Sequence, residues 1–114
     1  MGLGSDHYFA TGVDESPLVL VASGPIGLAS YSLYNNDSAQ AFLQFFDAAS
    51  IGAVTLGGTT PDYVLGMAAT TSIQGEFFRP LMFTNGIVIG FATTATGNGA
   101  TGSTCEVSLG LARP

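Results

Sequence analysis

The sequence contains no lysine and no tryptophan, and positive charge is scarce. Arg79 and Arg113 are its only cations, against eight carboxylates, and the formal net charge is −6 at pH 7. Binding to nucleic acid and to anionic membranes depends on clustered cations that neutralise phosphate. The charge balance therefore argues against both kinds of partner.

Charged residues of either sign are also few. They make up 9% of the chain, whereas about a quarter is typical of soluble domains, and 46% of the residues are hydrophobic. The surface must therefore consist largely of serine, threonine, asparagine, glycine and exposed apolar atoms. Because exposed sheet edges are commonly protected by lysine and other charges, this composition favours association with neighbouring molecules.

The residue types that build catalytic and metal sites are sparse. His7 is the only histidine, which excludes a metal site with several histidines, and it lies in a segment without periodicity, so we interpret it as a surface residue. The carboxylates follow no metal-ligand spacing; they are Asp37, Asp47, Asp62, Glu76 and Glu106 among others. The run "GNGATG", Gly97 to Gly102, precedes a period-two segment instead of a helix, so it predicts a loop and no phosphate site. We expect no enzyme activity, cofactor or metal.

Long apolar runs are missing as well. The longest, "SPLVLVA" and "GIVIGFA", are far shorter than the roughly twenty residues of a membrane span. The first residues lack the basic and apolar regions of a signal peptide, so we do not expect secretion by that route. The single Cys105 belongs to "TCEVSLGL", in which Cys105, Val107 and Leu109 share one face, so we expect a buried thiol.

Short strand-like runs separated by turn residues fill most of the chain and predict an all-β fold. Sixteen glycines and five prolines leave little room for helices. We expect one domain over residues 17–114, a single antiparallel β-sandwich of about eight short strands, with jelly-roll and Ig-like topologies both open. The predicted strands are Leu18 to Ala22, Gly27 to Tyr34, Ala41 to Asp47, Tyr63 to Ala68, Ile73 to Phe78, Leu81 to Phe83, Ile87 to Thr93, and Thr104 to Leu111.

The segment "SLYNNDSAQAFLQFFDAAS", Ser32 to Ser50, permits either a helix or two strands. A helix would be hydrophobic nearly all round, whereas three phenylalanines within five residues favour a pleated strand. The "YNND" run favours a turn, because its side chains hydrogen-bond nearby backbone. We therefore predict two antiparallel strands joined by this turn, the second covered on both faces.

The first sixteen residues show no usable periodicity, so we do not expect them to join the sheet. They nevertheless carry Leu3, Tyr8 and Phe9, which a solvated tail does not need. We predict that residues 1–16 form an arm that docks on a neighbouring subunit through these three side chains, and that the remaining residues fold without it. A disordered tail and a short extra edge strand are the alternatives.

Several stretches together resemble the small β-sandwich virion proteins of tailed bacteriophages. They are "YSLYNNDSAQAFLQFFDAAS", the "GTTP" turn, the "FTNGIVI" hairpin with its threonine-rich tail, and the closing "CEVSLGL", and the resemblance covers Pro17 to Leu111. It implies a non-enzymatic part of a phage particle, most simply a decoration or cement protein on the head. The partners implied are the major capsid protein or other virion proteins and further copies of the chain, with a homotrimer expected by analogy.

Two other functions stay open at this point. Within the same class, the chain fits a tail, adaptor or fibre-associated component. From a different class, a carbohydrate-binding module is the alternative, because aromatic faces of sandwiches can stack against sugars. The candidate residues for stacking are Tyr8, Tyr31, Tyr34 and Tyr63, although the absence of tryptophan weakens this alternative.

Overall fold

The computed structural model describes residues 5–13 and 18–113, which form two four-stranded sheets packed face to face. All strand pairs are antiparallel, which confirms the predicted all-β sandwich. The strands are β1 (Ser5–Val13), β2 (Val19–Ser23), β3 (Ile26–Asn35), β4 (Ala41–Asp47), β5 (Tyr63–Met67), β6 (Ser72–Phe83), β7 (Gly86–Ala92) and β8 (Cys105–Ala112), with one 3₁₀ turn at Ile51–Ala53. In the described ranges no helix is long and apolar enough to cross a membrane.

The strand order identifies the sandwich as a jelly roll. One sheet, sheet A, has the order β1-β8-β3-β6, and the other, sheet B, has the order β2-β7-β4-β5. Strands β1 to β4 therefore pair in turn with β8, β7, β6 and β5, as if a long hairpin had been rolled up. An Ig domain has its strands in a different order, so of the two topologies left open by the sequence the jelly roll is the one observed.

The core between the sheets is built from the inward positions of alternating strands. On β8 the pattern is the predicted one: Cys105, Val107 and Leu109 are fully buried, whereas Glu106 is exposed. Opposite them lie inward side chains of sheet B, including Leu43, Phe45, Ile87, Ile89 and Phe91. At about 25 cal/mol per Å² of apolar surface removed from water, this burial supplies the main force that holds the sheets together.

Sheet B is covered on its outer face by the chain itself. Phe46 and Val88 point away from the core and pack in a second cluster against Val54, Leu18 and Leu56. Every residue of β7 is buried as a result. The predicted double coverage of β4 is confirmed, and the cover comes from Leu18, just before β2, and from the long β4–β5 loop.

The predicted hairpin between Gly27 to Tyr34 and Ala41 to Asp47 is only partly right. Both segments are strands, β3 and β4, but they belong to different sheets and do not pair with each other. The "YNND" turn carries the chain across the sandwich. Local alternation predicts the strands correctly but contains no information about which sheet each one joins.

The expectation that the first residues stay out of the sheet is wrong. Residues 5–13 form β1, the edge strand of sheet A, and pair with β8 from Ser5↔Ala112 to Val13↔Cys105. A register shift follows Ala10, and Gly12 has a positive φ of 77°, so the alternation is interrupted in the middle of the strand. Backbone pairing does not need a regular side-chain pattern, and the edge-strand alternative is therefore the observed one for this segment.

The predicted runs Ile73 to Phe78 and Leu81 to Phe83 are one strand, β6, at the other edge of sheet A. Between the pairs Ser30↔Glu76 and Leu28↔Leu81, residues 77–80 of β6 lie opposite Ala29 alone. We call residues 77–80 the β6 bulge. Pro80 belongs to it, which agrees with the confinement of strand prolines to edges and bulges.

Candidate interaction surfaces

Sheet A leaves its outer face uncovered by any described residue, in contrast to sheet B. We call this surface the open face. Its side chains alternate with buried core residues, and many of them carry hydroxyl or amide groups. Its exposed members are His7, Phe9, Ser32, Tyr34, Ser72, Gln74, Glu76, Met82 and Glu106. The open face thus combines small polar groups with a few large apolar side chains, and the described residues supply no lysine to it.

A shallow hollow of about 140 Å³ lies on the open face between β1, β8, β3 and the start of β6. Phe9, 62% exposed, and Tyr34, 36% exposed, contribute its aromatic surface. Its polar lining comes from Ser32, Ser72, Ser108 and Glu106. Beside it, the Ser108 hydroxyl and the His7 Nε2 atom are 3.0 Å apart, so a polar contact links β1 to β8.

The three predicted interface residues have different positions. Phe9 lies on the open face, where its ring is available to a partner. Tyr8 points the other way and is half-buried against the core, and burial raises the pKa of its hydroxyl. Leu3 lies outside the described residues. The structure therefore leaves Phe9 as an accessible anchor and shows Tyr8 as part of the packing.

The four tyrosines proposed for sugar stacking do not form a common platform. Tyr31 and Tyr63 belong to an aromatic row that closes one side of the sandwich, with ring centroids of Tyr31 and Phe77 6.0 Å apart and those of Tyr63 and Phe77 5.7 Å apart. Desolvation, with a smaller contribution from Tyr31, raises the pKa of Tyr63. Of the four, Tyr34 alone is an exposed residue of the open face.

Two polar residues of the "YNND" turn connect three loops at one end of the sandwich. The buried Asn35 amide donates to the carbonyl oxygens of Ala39, Met67 and Ala68 at 3.0 to 3.3 Å. The Asp37 carboxylate, also buried, accepts the N–H groups of Ala39 and Gly102, the latter at 2.8 Å. These bonds fix the loops in place, so this end offers few unpaired polar groups to a ligand.

A second aspartate organises the turn between β6 and β7. The Asp47 carboxylate accepts N–H groups from Thr84 at 3.1 Å and Asn85 at 2.7 Å, and its own N–H donates to Asp62 Oδ2 at 2.7 Å. Gly86 closes this turn with a φ of 147°, and an added Cβ there would lie 2.5 Å from the Ala22 carbonyl oxygen. Only glycine fits this position without a backbone shift.

Beside this turn lies a cavity of about 310 Å³, which we call the acidic cavity. Its wall is largely apolar, and two carboxylates belong to its lining. The lining residues are Phe46, Asp47, Ala48, Ala49, Ala53, Val54, Thr59, Asp62 and Asn85. Asp62 is exposed, so its carboxylate is accessible from outside the cavity.

The β6 bulge exposes a phenylalanine almost completely. Phe78 is 98% exposed, whereas the preceding Phe77 packs against the core. Arg79, next in the chain, is exposed and forms no ion pair among the described residues. The run "FFRP" indicates this irregularity in the sequence, because two adjacent aromatics and a proline break the alternation of the strand.

No group of three or more histidine, cysteine, aspartate or glutamate side chains that could hold a metal is found in the described ranges. Burial raises the pKa of the Cys105 thiol to about 12, with a smaller opposing hydrogen bond at the Tyr34 backbone and a further increase from Glu106. A thiol with such a pKa is protonated at neutral pH and is therefore a poor nucleophile.

Comparison of the chain with protein-family models, with curated proteins and with solved structures found no match in any of the three. The open face, the acidic cavity and the β6 bulge are consequently the features from which function is inferred.

Proposed function

We propose that this chain is a non-enzymatic structural protein of a tailed-phage virion, and that it binds the head shell as a decoration or cement protein through its open face. The observation that carries the proposal is the asymmetry of the sandwich. The chain covers the outer face of sheet B with its own loops, whereas the open face of sheet A presents Phe9, Tyr34 and Met82 without cover from described residues. Such a face gains stability when a partner removes it from water.

Two further points support a particle component. Jelly rolls are found in viral capsid proteins and in lectins, which is an argument by analogy with the fold alone. The absence of lysine and the low charge content fit a surface that functions in contact with neighbours, since monomeric proteins commonly keep such surfaces charged. The proposed partners are the major capsid protein and further copies of this chain, and the proposed location is the virion.

A tail, adaptor or fibre-associated position is the alternative within the same class. Such a component would bury the same open face against a tail protein instead of the head shell. Imaging of the particle with a tag on the chain distinguishes the two, because head decoration gives label over the whole shell and a tail component gives label at one vertex or along the tail.

The head-binding proposal is tested by co-sedimentation of the purified protein with heads that lack it. Phe9→Ser and Tyr34→Ser together remove the aromatic surface of the hollow. We expect this double variant to lose about 30-fold or more in affinity for the heads, as is typical when anchor aromatics are truncated. Ile51→Ser is the matched control, because Ile51 is 45% exposed but belongs to the loop outside sheet A.

Equal binding of the wild type and the double variant would contradict docking through the open face. Failure of the wild-type protein to bind heads at all would contradict the head-decoration proposal. Far-UV circular dichroism of each variant shows whether the fold is retained.

A carbohydrate-binding module is the second candidate, and the hollow on the open face is the observation that favours it. Phe9 and Tyr34 provide apolar rings, and Ser32, Ser72 and Glu106 provide hydrogen-bonding groups beside them. Sugar sites use this combination, because one face of a pyranose is apolar and its rim carries hydroxyls. Screening against immobilised host glycans tests it: saturable binding that Glu106→Ala abolishes supports it, and no binding at millimolar sugar rules it out.

A further inference from the structure

The β6 bulge and the acidic cavity are complementary in shape and charge. The bulge presents one aromatic ring followed by one cation, Phe78 and Arg79. The cavity presents an apolar wall together with the carboxylates of Asp47 and Asp62. The two features lie on different parts of the molecule, the bulge at the edge of sheet A and the cavity at the end of β4 in sheet B.

The backbone of β6 departs from regular pairing where it exposes Phe78. Isolated exposed apolar residues are common and need no explanation. Here, however, residues 77–80 lie opposite a single residue of β3, and the ring they expose is 98% accessible. Bulges redirect side chains, and Phe78 lines neither the hollow on the open face nor the acidic cavity.

The acidic cavity is large enough to accept this ring. An apolar protein cavity of about 150 Å³ holds a benzene molecule. The acidic cavity measures about 310 Å³ and has Phe46 and Val54 in its wall, so its volume is sufficient for a phenyl ring. Both residues already belong to the apolar cluster over sheet B.

The charges of the β6 bulge and of the acidic cavity favour the same contact as their shapes. Arg79 is one of only two cations in the chain, and Asp62 is an exposed carboxylate in the cavity lining. Asp47 is the less available partner, because both of its carboxylate oxygens accept N–H groups from the β6–β7 turn, whereas Asp62 accepts the Asp47 N–H through Oδ2 alone. A guanidinium beside a carboxylate at the margin of an apolar contact favours the correct register and disfavours others.

We propose that Phe78 of one copy of this chain occupies the acidic cavity of a second copy, with Arg79 of the first beside Asp62 of the second. The contact joins two different surfaces, so each copy offers both a ring and a cavity. Repetition of the contact builds a closed ring of subunits when the rotation between copies allows it. The contact uses no residue that lines the hollow on the open face, so the hollow remains available to another partner.

Sedimentation velocity over the micromolar range tests the contact. We expect the wild type to associate and Phe78→Ser to weaken association about 30-fold or more, the usual effect of losing a central aromatic anchor. Leu20→Ser is the matched control, since it removes a 42% exposed apolar side chain of β2 that lines neither the acidic cavity nor the hollow on the open face, and it is expected to leave association unchanged. A monomeric wild type, or association that Phe78→Ser does not affect, overturns the proposal.

A mixing experiment gives a stricter test of the same contact. Ala53→Trp fills the cavity from its exposed wall, so this variant keeps Phe78 but loses the cavity, whereas Phe78→Ser keeps the cavity but loses the ring. Each variant alone is expected to be monomeric, and an equimolar mixture is expected to form a one-to-one complex. A mixture that stays monomeric, although both variants give the wild-type circular dichroism spectrum, overturns the proposal.

The charged part of the contact has its own variants. Arg79→Glu places a carboxylate beside Asp62 and is expected to weaken association about tenfold. Asp62→Arg in a second preparation is expected to restore association when it is mixed with Arg79→Glu. If the mixture associates no better than Arg79→Glu alone, Arg79 and Asp62 are not in contact. Head binding is tested with the Phe9 and Tyr34 variants. A negative result for the contact between Phe78 and the acidic cavity therefore does not contradict the proposed function.

Discussion

Asn35 shows how a single buried polar side chain determines the path of the chain between the sheets. Its amide group donates to carbonyl oxygens that no strand partner satisfies, and its own oxygen accepts the Asp37 N–H at 2.8 Å. Leaving a buried polar group unpaired costs about 1–3 kcal/mol, so these bonds favour this loop arrangement over others. The sequence predicts the turn from its asparagines, but the partners in the β5–β6 loop are distant in the chain and could not be predicted.

At the centre of the core, Leu109→Ala is expected to lower the free energy of unfolding by about 2–5 kcal/mol, because Leu109 is fully buried and the substitution leaves a cavity. Urea denaturation followed by circular dichroism measures the change. Glu106→Ala, on the exposed face of the same strand, is the control and should change stability by about 0.5 kcal/mol or less. Similar losses for the two variants would mean that β8 is not packed as described.

Because of Cys105, we expect the free energy of unfolding to depend on pH in the alkaline range. Its folded-state pKa is raised to about 12 from an ordinary value of 9.0, so the folded state holds the thiol proton more tightly than the unfolded state does. The resulting stabilisation is fully present below pH 9 and is lost as the pH rises towards 12. We expect the free energy of unfolding to fall over this window.

Cys105→Ala serves as the control for this pH dependence. Tyr8 and Tyr63 also have raised pKa values and contribute in the same direction, and the variant retains both. The difference between wild type and variant in urea midpoints from pH 8 to 11 therefore isolates the thiol. Parallel pH profiles for the two proteins would show that Cys105 does not contribute.

At the scale of elements, β1 is the strand that periodicity failed to predict, and its residues explain why. Phe9, the large apolar side chain, points outward, whereas Ala10 lies on the inner side. The register shift before Val13 then interrupts the alternation. The strand is held mainly by backbone pairing with β8, and pairing between distant segments is not encoded in local pattern. By contrast, β8 combines regular alternation with clear turns, β4 is marked by its three phenylalanines, and both were predicted closely.

Removal of residues 1–16 is now expected to destabilise the sandwich, contrary to the independent folding predicted from sequence alone. Val13 is 2% exposed in the core, and burying a valine stabilises a protein by about 1.5–3 kcal/mol. Loss of β1 also leaves β8 as an unpaired edge. Thermal denaturation should show a lower midpoint for the truncated chain. An unchanged thermal midpoint would indicate that β1 does not stabilise the fold. It would favour the alternative that residues 1–16 form a docking arm.

At the scale of the whole molecule, the rolled-hairpin topology separates nearly every strand from its partner in sequence. Ser5 pairs with Ala112, and Val19 pairs with Ile89. The class of fold was predictable from composition, turns and alternation, since these are local properties. The jelly-roll order was not, because it depends on which distant edges meet during folding.

This topology predicts slow folding. Chains dominated by non-local strand pairs pay the cost of loop closure before most contacts form, and β-sandwiches fold in about milliseconds to seconds. Stopped-flow dilution from urea, with tyrosine fluorescence as the signal, should give a main phase in this range. Refolding within microseconds would contradict the predominance of long-range pairing.

The bulge in β6 also affects how the edge of sheet A can pair with strands of other molecules. Strands at sheet edges can recruit identical strands from other molecules, and repetition of that event produces fibrils. Pro80 has no N–H to offer to an incoming strand, and residues 77–80 depart from the regular spacing that such a strand would need. At this edge of sheet A, the bulge therefore disfavours uncontrolled growth by backbone hydrogen bonding, whereas the contact that we propose between copies uses side chains.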